Sequence, residues 1–90
     1  MTAVEVLAGV KDLLRRDGWC QNTWGTGTAR CIVAAVGQVA QIPPNVFPTL
    51  DRLRRAAGVS CLASWNDASG RTLAEVLDLC DKAVELEPAA

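Results

Sequence analysis

Ala29-Arg30-Cys31-Ile32-Val33-Ala34-Ala35-Val36-Gly37-Gln38-Val39-Ala40 is the stretch on which the fold turns. Residues 31–36 are apolar without interruption, and Arg30 and Gln38 are the polar residues of the run. Its length and residue types predict a helix over residues 29–40 with Thr28 as its cap. A helix with no polar face sits among neighbours rather than on a surface. Gly37 costs such a helix about 1 kcal/mol relative to alanine, a cost that close approach of another helix would offset. The rest of the chain must therefore supply a surrounding layer.

On the N-terminal side, Ala3, Val6, Leu7, Val10, Leu13 and Leu14 recur at the spacing of one helical face. Thr2 and Glu5 have the spacing of a capping box, in which each side chain satisfies a free backbone N–H. The first helix is expected over residues 3–16, with Gly18 as its stop. Residues 18–28 read as irregular, because two glycines and three threonines in Thr23-Trp24-Gly25-Thr26-Gly27-Thr28 suit no helix. Trp19 and Trp24 are expected to fold back onto the core, each indole N–H finding an acceptor.

On the C-terminal side, Ile42-Pro43-Pro44 should end the central helix. A third helix is expected over residues 46–57, capped by Asn45, with Pro48 in its first turn. Its inner face is Val46, Leu50, Leu53 and Ala57; Arg52 and Arg55 point the opposite way, and Arg54 borders them. Gly58 closes it. A short fourth helix over residues 61–65, capped by Ser60, leads into the turn Asn66-Asp67-Ala68-Ser69-Gly70. The fifth helix should run over residues 73–86, capped by Thr72 with Glu75, and Pro88 lies past its end. Its core face is Leu73, Val76, Leu77, Cys80 and Val84. No strand-like alternation or internal repeat is visible. The expectation is an all-α fold: a compact single-domain bundle of four to five helices over residues 1–90, with an irregular Trp-containing loop between the first two.

Composition agrees. Ninety residues make one domain, and 50% are hydrophobic, which is enough for a core without metal or cross-links. Nine basic and ten acidic side chains leave a net charge of −1, with no general pull toward nucleic acid or anionic lipid. No stretch approaches the roughly 20 apolar residues of a membrane span. Glu5 and Asp12 interrupt any signal-like run at the N-terminus, so a cytoplasmic location is expected. Cys20, Cys31, Cys61 and Cys80 are widely spaced and form no CxxC pair. In that compartment they should be buried and reduced rather than bridged or bound to zinc.

Chemistry is scarce. There is no histidine or tyrosine, and the carboxylates fall mostly on solvent faces of the predicted helices. Gly25-Thr26-Gly27 lacks the lysine and preceding strand of a phosphate loop. Cys31 and Cys61 would lie in the first turn of a helix, where the dipole lowers a thiol pKa, but no base partner is evident. The chain is read as non-enzymatic, with no cofactor.

Gly18-Trp19-Cys20-Gln21 and Trp65-Asn66-Asp67-Ala68-Ser69-Gly70-Arg71-Thr72-Leu73-Ala74-Glu75-Val76 resemble the two blocks of a family of small, functionally uncharacterised proteins of actinobacteria and their phages. As in that family, an alanine-rich helix preceded by a cysteine joins them. Where members often carry Cys-Ala-x-Gly-Ala, this chain has Cys31-Ile32-Val33-Ala34-Ala35. The resemblance implies a source and a fold but no activity. Physically, the second block reads as a joint: Trp65 anchors, Asn66 and Asp67 bond nearby backbone, Arg71 pairs with Asp67, and Thr72 caps the fifth helix. The alternative is a ligand or partner site built from Trp19, Trp65, Asn66, Asp67 and Arg71. Under the joint reading, Asp67→Ala mainly lowers the melting temperature.

Two partner classes are weighed. Leu79 and Leu86 fall outside the main stripe of the fifth helix and, with Val76 and Ala83, widen its apolar arc. They could cover the Trp-containing loop, or they could bury against a protein partner or a second copy. The lesser alternative is a small DNA-binding regulator. The second helix, the Pro43-Pro44 turn and an Arg-rich third helix with Arg52, Arg54 and Arg55 resemble a helix-turn-helix in outline. Its basic residues, however, lie at the C-terminal half of the would-be recognition helix.

Overall fold

The computed structural model describes residues 1–86; Pro88 lies outside the described residues. The chain folds into α1 (Ala3–Asp17), β1 (Gly25–Thr26), β2 (Ala29–Arg30), α2 (Ile32–Ala40), α3 (Pro43–Ala57), α4 (Leu62–Asn66) and α5 (Leu73–Glu85). It is mostly helical, and its radius of gyration is 11.8 Å, against about 12 Å for a folded chain of this length.

α1 forms as its periodicity dictates. Thr2 Oγ1 accepts from the Glu5 N–H at 3.1 Å, and Glu5 Oε1 accepts from the Thr2 N–H at 2.9 Å. Val6, Leu7, Val10, Leu13 and Leu14 are buried. Gly18 ends the helix at φ 100°, a conformation open chiefly to glycine.

The central helix is shorter than its apolar run. Ala29 and Arg30 pair antiparallel with Thr26 and Gly25 instead of entering α2. The Arg30 N–H is donated to the Gly18 carbonyl and the Cys31 N–H to the Trp24 carbonyl. These long-range bonds hold residues 29–31 extended. The cap is Cys31, whose Sγ accepts the Ala34 N–H at 3.4 Å. Thr28 instead donates its hydroxyl to the Asp17 carbonyl at 2.8 Å, tying the hairpin to the end of α1. Ile32, Ala35, Val36 and Ala40 are buried. The close helix approach falls at Gly9 of α1, not at Gly37. A Cβ on Gly9 would stand 2.7 Å from Val39 Cγ1, whereas one on Gly37 would meet nothing within 4 Å.

Pro43 and Pro44 begin α3 rather than merely ending α2, since proline's preset φ suits the first helical turn. Asn45 therefore lies inside α3, and its Nδ2 donates to the Ala40 carbonyl of α2 at 3.4 Å. Pro48 lies past the first turn, on an exposed side where solvent can reach the carbonyl it leaves without a helical donor. Thr49 is fully buried and donates its hydroxyl to the Asn45 carbonyl at 2.9 Å. Leu50 and Leu53 complete the inner face. The cap of α4 is Cys61, not Ser60.

α5 is capped by Thr72 and Glu75 as expected, with Thr72 Oγ1 accepting the Glu75 N–H at 3.2 Å. Its buried stripe, however, is Val76, Leu79, Cys80 and Ala83; Leu73, Leu77 and Val84 sit at the margins. The helix packs on both α1 and α3, which centres its buried arc on Leu79. Leu79 is 4% exposed and belongs to the core, which corrects its assignment as a partner-binding residue.

Candidate functional site

The two resembling blocks meet around Asn66. Its amide is fully buried at the end of α4. Oδ1 accepts the Trp19 indole N–H at 2.7 Å and the Ile32 backbone N–H at 3.0 Å. The Ile32 N–H belongs to the first turn of α2 and has no carbonyl of its own helix to meet. Nδ2 donates to the Cys20 carbonyl at 3.1 Å and to Asp67 Oδ1 at 2.9 Å. Both lone-pair sites and both donors of the amide are thus in use.

Neighbouring residues reinforce the clasp. Gln21 Nε2 donates to the carbonyls of Asn66 and Ala68 at 3.0 and 2.9 Å. Asp67 Oδ1 accepts the Asn22 backbone N–H at 2.8 Å. That N–H, followed by the Asn66 amide, holds the Asp67 carboxyl below its ordinary pKa. Trp19 packs its ring against the core. These bonds bring together Trp19, Asn66 and Asp67 of the predicted set.

The expected Asp67–Arg71 pair does not form. Arg71 Nε donates to the Trp65 carbonyl at 3.0 Å, and Nη1 pairs with Glu75 Oε2 at 3.2 Å. The guanidinium lies over the Trp65 ring, 4.0 Å from its centroid. Glu75, one turn along α5, competes successfully because it also closes the Thr72 capping box. Trp65 and Arg71 therefore form a second cluster at the foot of α5.

The arginines of α3 divide. Arg52 does not point to solvent: its Nε donates to the Ala83 carbonyl at 3.0 Å and its Nη2 to those of Val84 and Leu86 at 3.2 and 2.9 Å. It satisfies the free carbonyls at the end of α5. Leu86, half-buried, is held there through its backbone. Arg55 pairs with Asp51 at 3.5 Å and, with Arg54, Gly58 and Val59, lines an open depression of about 500 Å³.

Trp24 departs from the expectation set for it. It is 64% exposed, not folded onto the core. It stands at the foot of the β1–β2 hairpin and borders a cavity of about 180 Å³ with Asn22, Thr23, Cys31, Ala63 and Asp67. The one available signal was its setting among glycines and threonines, which offer little apolar surface for it to pack on.

All four cysteines are free thiols, and Cys61 is exposed, contrary to expectation. The Ser64 hydroxyl, then the Ser64 backbone, lowers the Cys61 thiol pKa. Burial pushes the Cys80 thiol up to about 12. Among the described residues no three cysteines and carboxylates gather into a metal-sized cluster. No helix among them is long and apolar enough to cross a membrane.

Residues 1–86 match the family described as "Family of unknown function (DUF6197)". No curated protein and no solved structure matches the chain.

Proposed function

This chain belongs to DUF6197, a family of unknown function, and from that premise we propose a non-catalytic protein-interaction module that presents Trp24 to a partner. The observation that carries the reading is a large aromatic, 64% exposed, on a hairpin held in place. The Trp24 carbonyl accepts the Cys31 N–H at 3.0 Å. Just before it, the Asn22 N–H is tied to Asp67 and the Gln21 side chain to the Asn66 and Ala68 carbonyls. A backbone already held in place in the free protein loses little entropy on binding. Tryptophan is also among the residues that contribute most at protein interfaces. With Leu79 inside the core, the contact surface moves from α5 to the hairpin, and the partner is another protein or a second copy. The resemblance of the motif blocks supports a source among actinobacteria or their phages, and the proposed contact is then made in the cytoplasm of that cell.

The test is affinity purification from actinobacterial lysate with and without nuclease treatment, using the wild-type chain and a folded Trp24→Ser variant as baits. A stoichiometric protein should survive nuclease and fall about tenfold with the variant, the effect of ~1.4 kcal/mol. Size-exclusion chromatography of the two chains alone reads the second-copy case. Recovery of nucleic-acid-associated proteins alone, lost on nuclease treatment, would overturn the reading in favour of DNA contact through Arg54 and Arg55.

A further inference from the structure

The cavity beside Trp24 encloses about 180 Å³, below the roughly 300–1,000 Å³ of sites for drug-sized ligands. That volume suits one side chain or one small head group. Trp24, Ala63 and Cys31 give it apolar walls, and among its described lining residues Asp67 alone carries charge. Both hydrogen bonds to the Asp67 carboxylate end on Oδ1. Among the described residues nothing donates to Oδ2, and no lysine or arginine lies within ion-pair distance of the group. Arg71, the nearest basic residue in sequence, is committed to Glu75 and the Trp65 carbonyl.

A carboxylate without a counter-charge, beside an exposed indole, is the chemistry that recognises an ammonium group. A neutral head gains no charge pairing with that carboxylate, and an anion would be repelled by it. We propose that this cavity binds an alkylammonium group, its carbon stem against Trp24 and Ala63 and its charged head at Asp67 Oδ2. The inference rests on the reading of Trp24 as a contact residue, and names what the partner brings there: a lysine side chain, whose apolar stem and charged tip match the two kinds of wall.

The experiment is a ¹⁵N NMR titration of the whole chain with n-butylammonium chloride, with n-butanol, and with N-acetyl-lysine methylamide. Saturable shifts of the Trp24 indole and the Asn22 amide are expected with both ammonium probes and not with butanol. Asp67→Asn keeps an acceptor for Asn22 and removes the charge, so it should stay folded and lose the response. If butylammonium binds and the lysine derivative does not, the cavity takes a free amine and the lysine assignment is overturned. Equal binding of butanol, or an unchanged response in Asp67→Asn, overturns the ammonium proposal altogether. The two readings fail separately: loss of partner capture in Trp24→Ser without any ammonium response leaves the interaction module standing, whereas an ammonium response without a captured partner removes the module and its partner lysine and leaves the ammonium site.

Discussion

The indole Nε1 of Trp19 donates to Oδ1 of Asn66 across 2.7 Å, joining residues 47 positions apart. The same oxygen accepts the Ile32 N–H that opens α2. One buried amide thereby fixes the entry of the central helix, the loop after α1 and the end of α4 relative to one another. The family-like blocks are two halves of one clasp.

Removing that amide should be far costlier than removing its neighbour's carboxylate. Asn66→Ala leaves the Trp19 and Ile32 N–H groups and the Cys20 carbonyl without their partner. Each unsatisfied buried group costs about 1–3 kcal/mol, so a loss of about 3–5 kcal/mol is expected. Asp67→Ala removes an acceptor from the exposed Asn22 N–H and from one of the two Asn66 donors; about 1 kcal/mol is expected, seen as a modest fall in melting temperature. Urea unfolding of both variants decides the matter, and equal losses would remove Asn66 from its central place.

The two helical glycines should respond to alanine with opposite signs. Gly37→Ala enters open space inside α2 and should stabilise by about 1 kcal/mol through helix propensity. Gly9→Ala brings a Cβ to 2.7 Å from Val39 Cγ1. Overpacking of about 1–3 kcal/mol should then outweigh the same propensity gain. Thermal unfolding measures both, and Val39→Ala in the Gly9→Ala background should recover much of the loss by removing the clash. A Gly9→Ala protein more stable than wild type would mean that the two helices separate easily.

Thiol labelling should follow exposure and thiolate character. Cys61, exposed and lowered in pKa by Ser64, should react first with iodoacetamide near neutral pH. Cys20, half-buried and raised chiefly by desolvation, should follow slowly. Cys80, with its thiol at about 12, should react only on unfolding. Mass spectrometry of time points gives the order. Ser64→Ala should slow Cys61, and an unchanged rate would assign its reactivity to exposure alone.

Much of the fold was legible because it is encoded locally. The capping boxes at Thr2 and Thr72 each close within four residues, and the apolar spacing of α1 marks its buried face directly. The places where the reading failed share a different cause. Ala29 and Arg30 look helical by composition, but their N–H and C=O groups are claimed by Gly18, Cys20 and the hairpin. Arg71 lies as near in sequence to Asp67 as to Glu75, and the capping geometry of α5 selected the latter. Leu79 falls outside the stripe expected for α5, but α5 packs on both α1 and α3, and the wider arc is buried between them. Of the candidate site, Trp19, Asn66 and Asp67 were legible as turn and anchor residues, whereas Trp24 and its cavity were not.

The sequence by itself determined where α1 and α5 begin and where α1 and α3 stop, since capping boxes, glycines and apolar periodicity act over a turn or two of chain. It also determined that one helix must be central, because a segment with no polar face has to be covered. Only the tertiary structure decided which tryptophan packs against the core and which stands in solvent. It likewise decided that Asn66 rather than Asp67 is the hub, and that Arg52 closes the end of α5 instead of facing solvent. Those outcomes depend on hydrogen bonds between residues 31 to 47 positions apart. Such partners are chosen by how whole helices pack, and no local window of sequence contains that information.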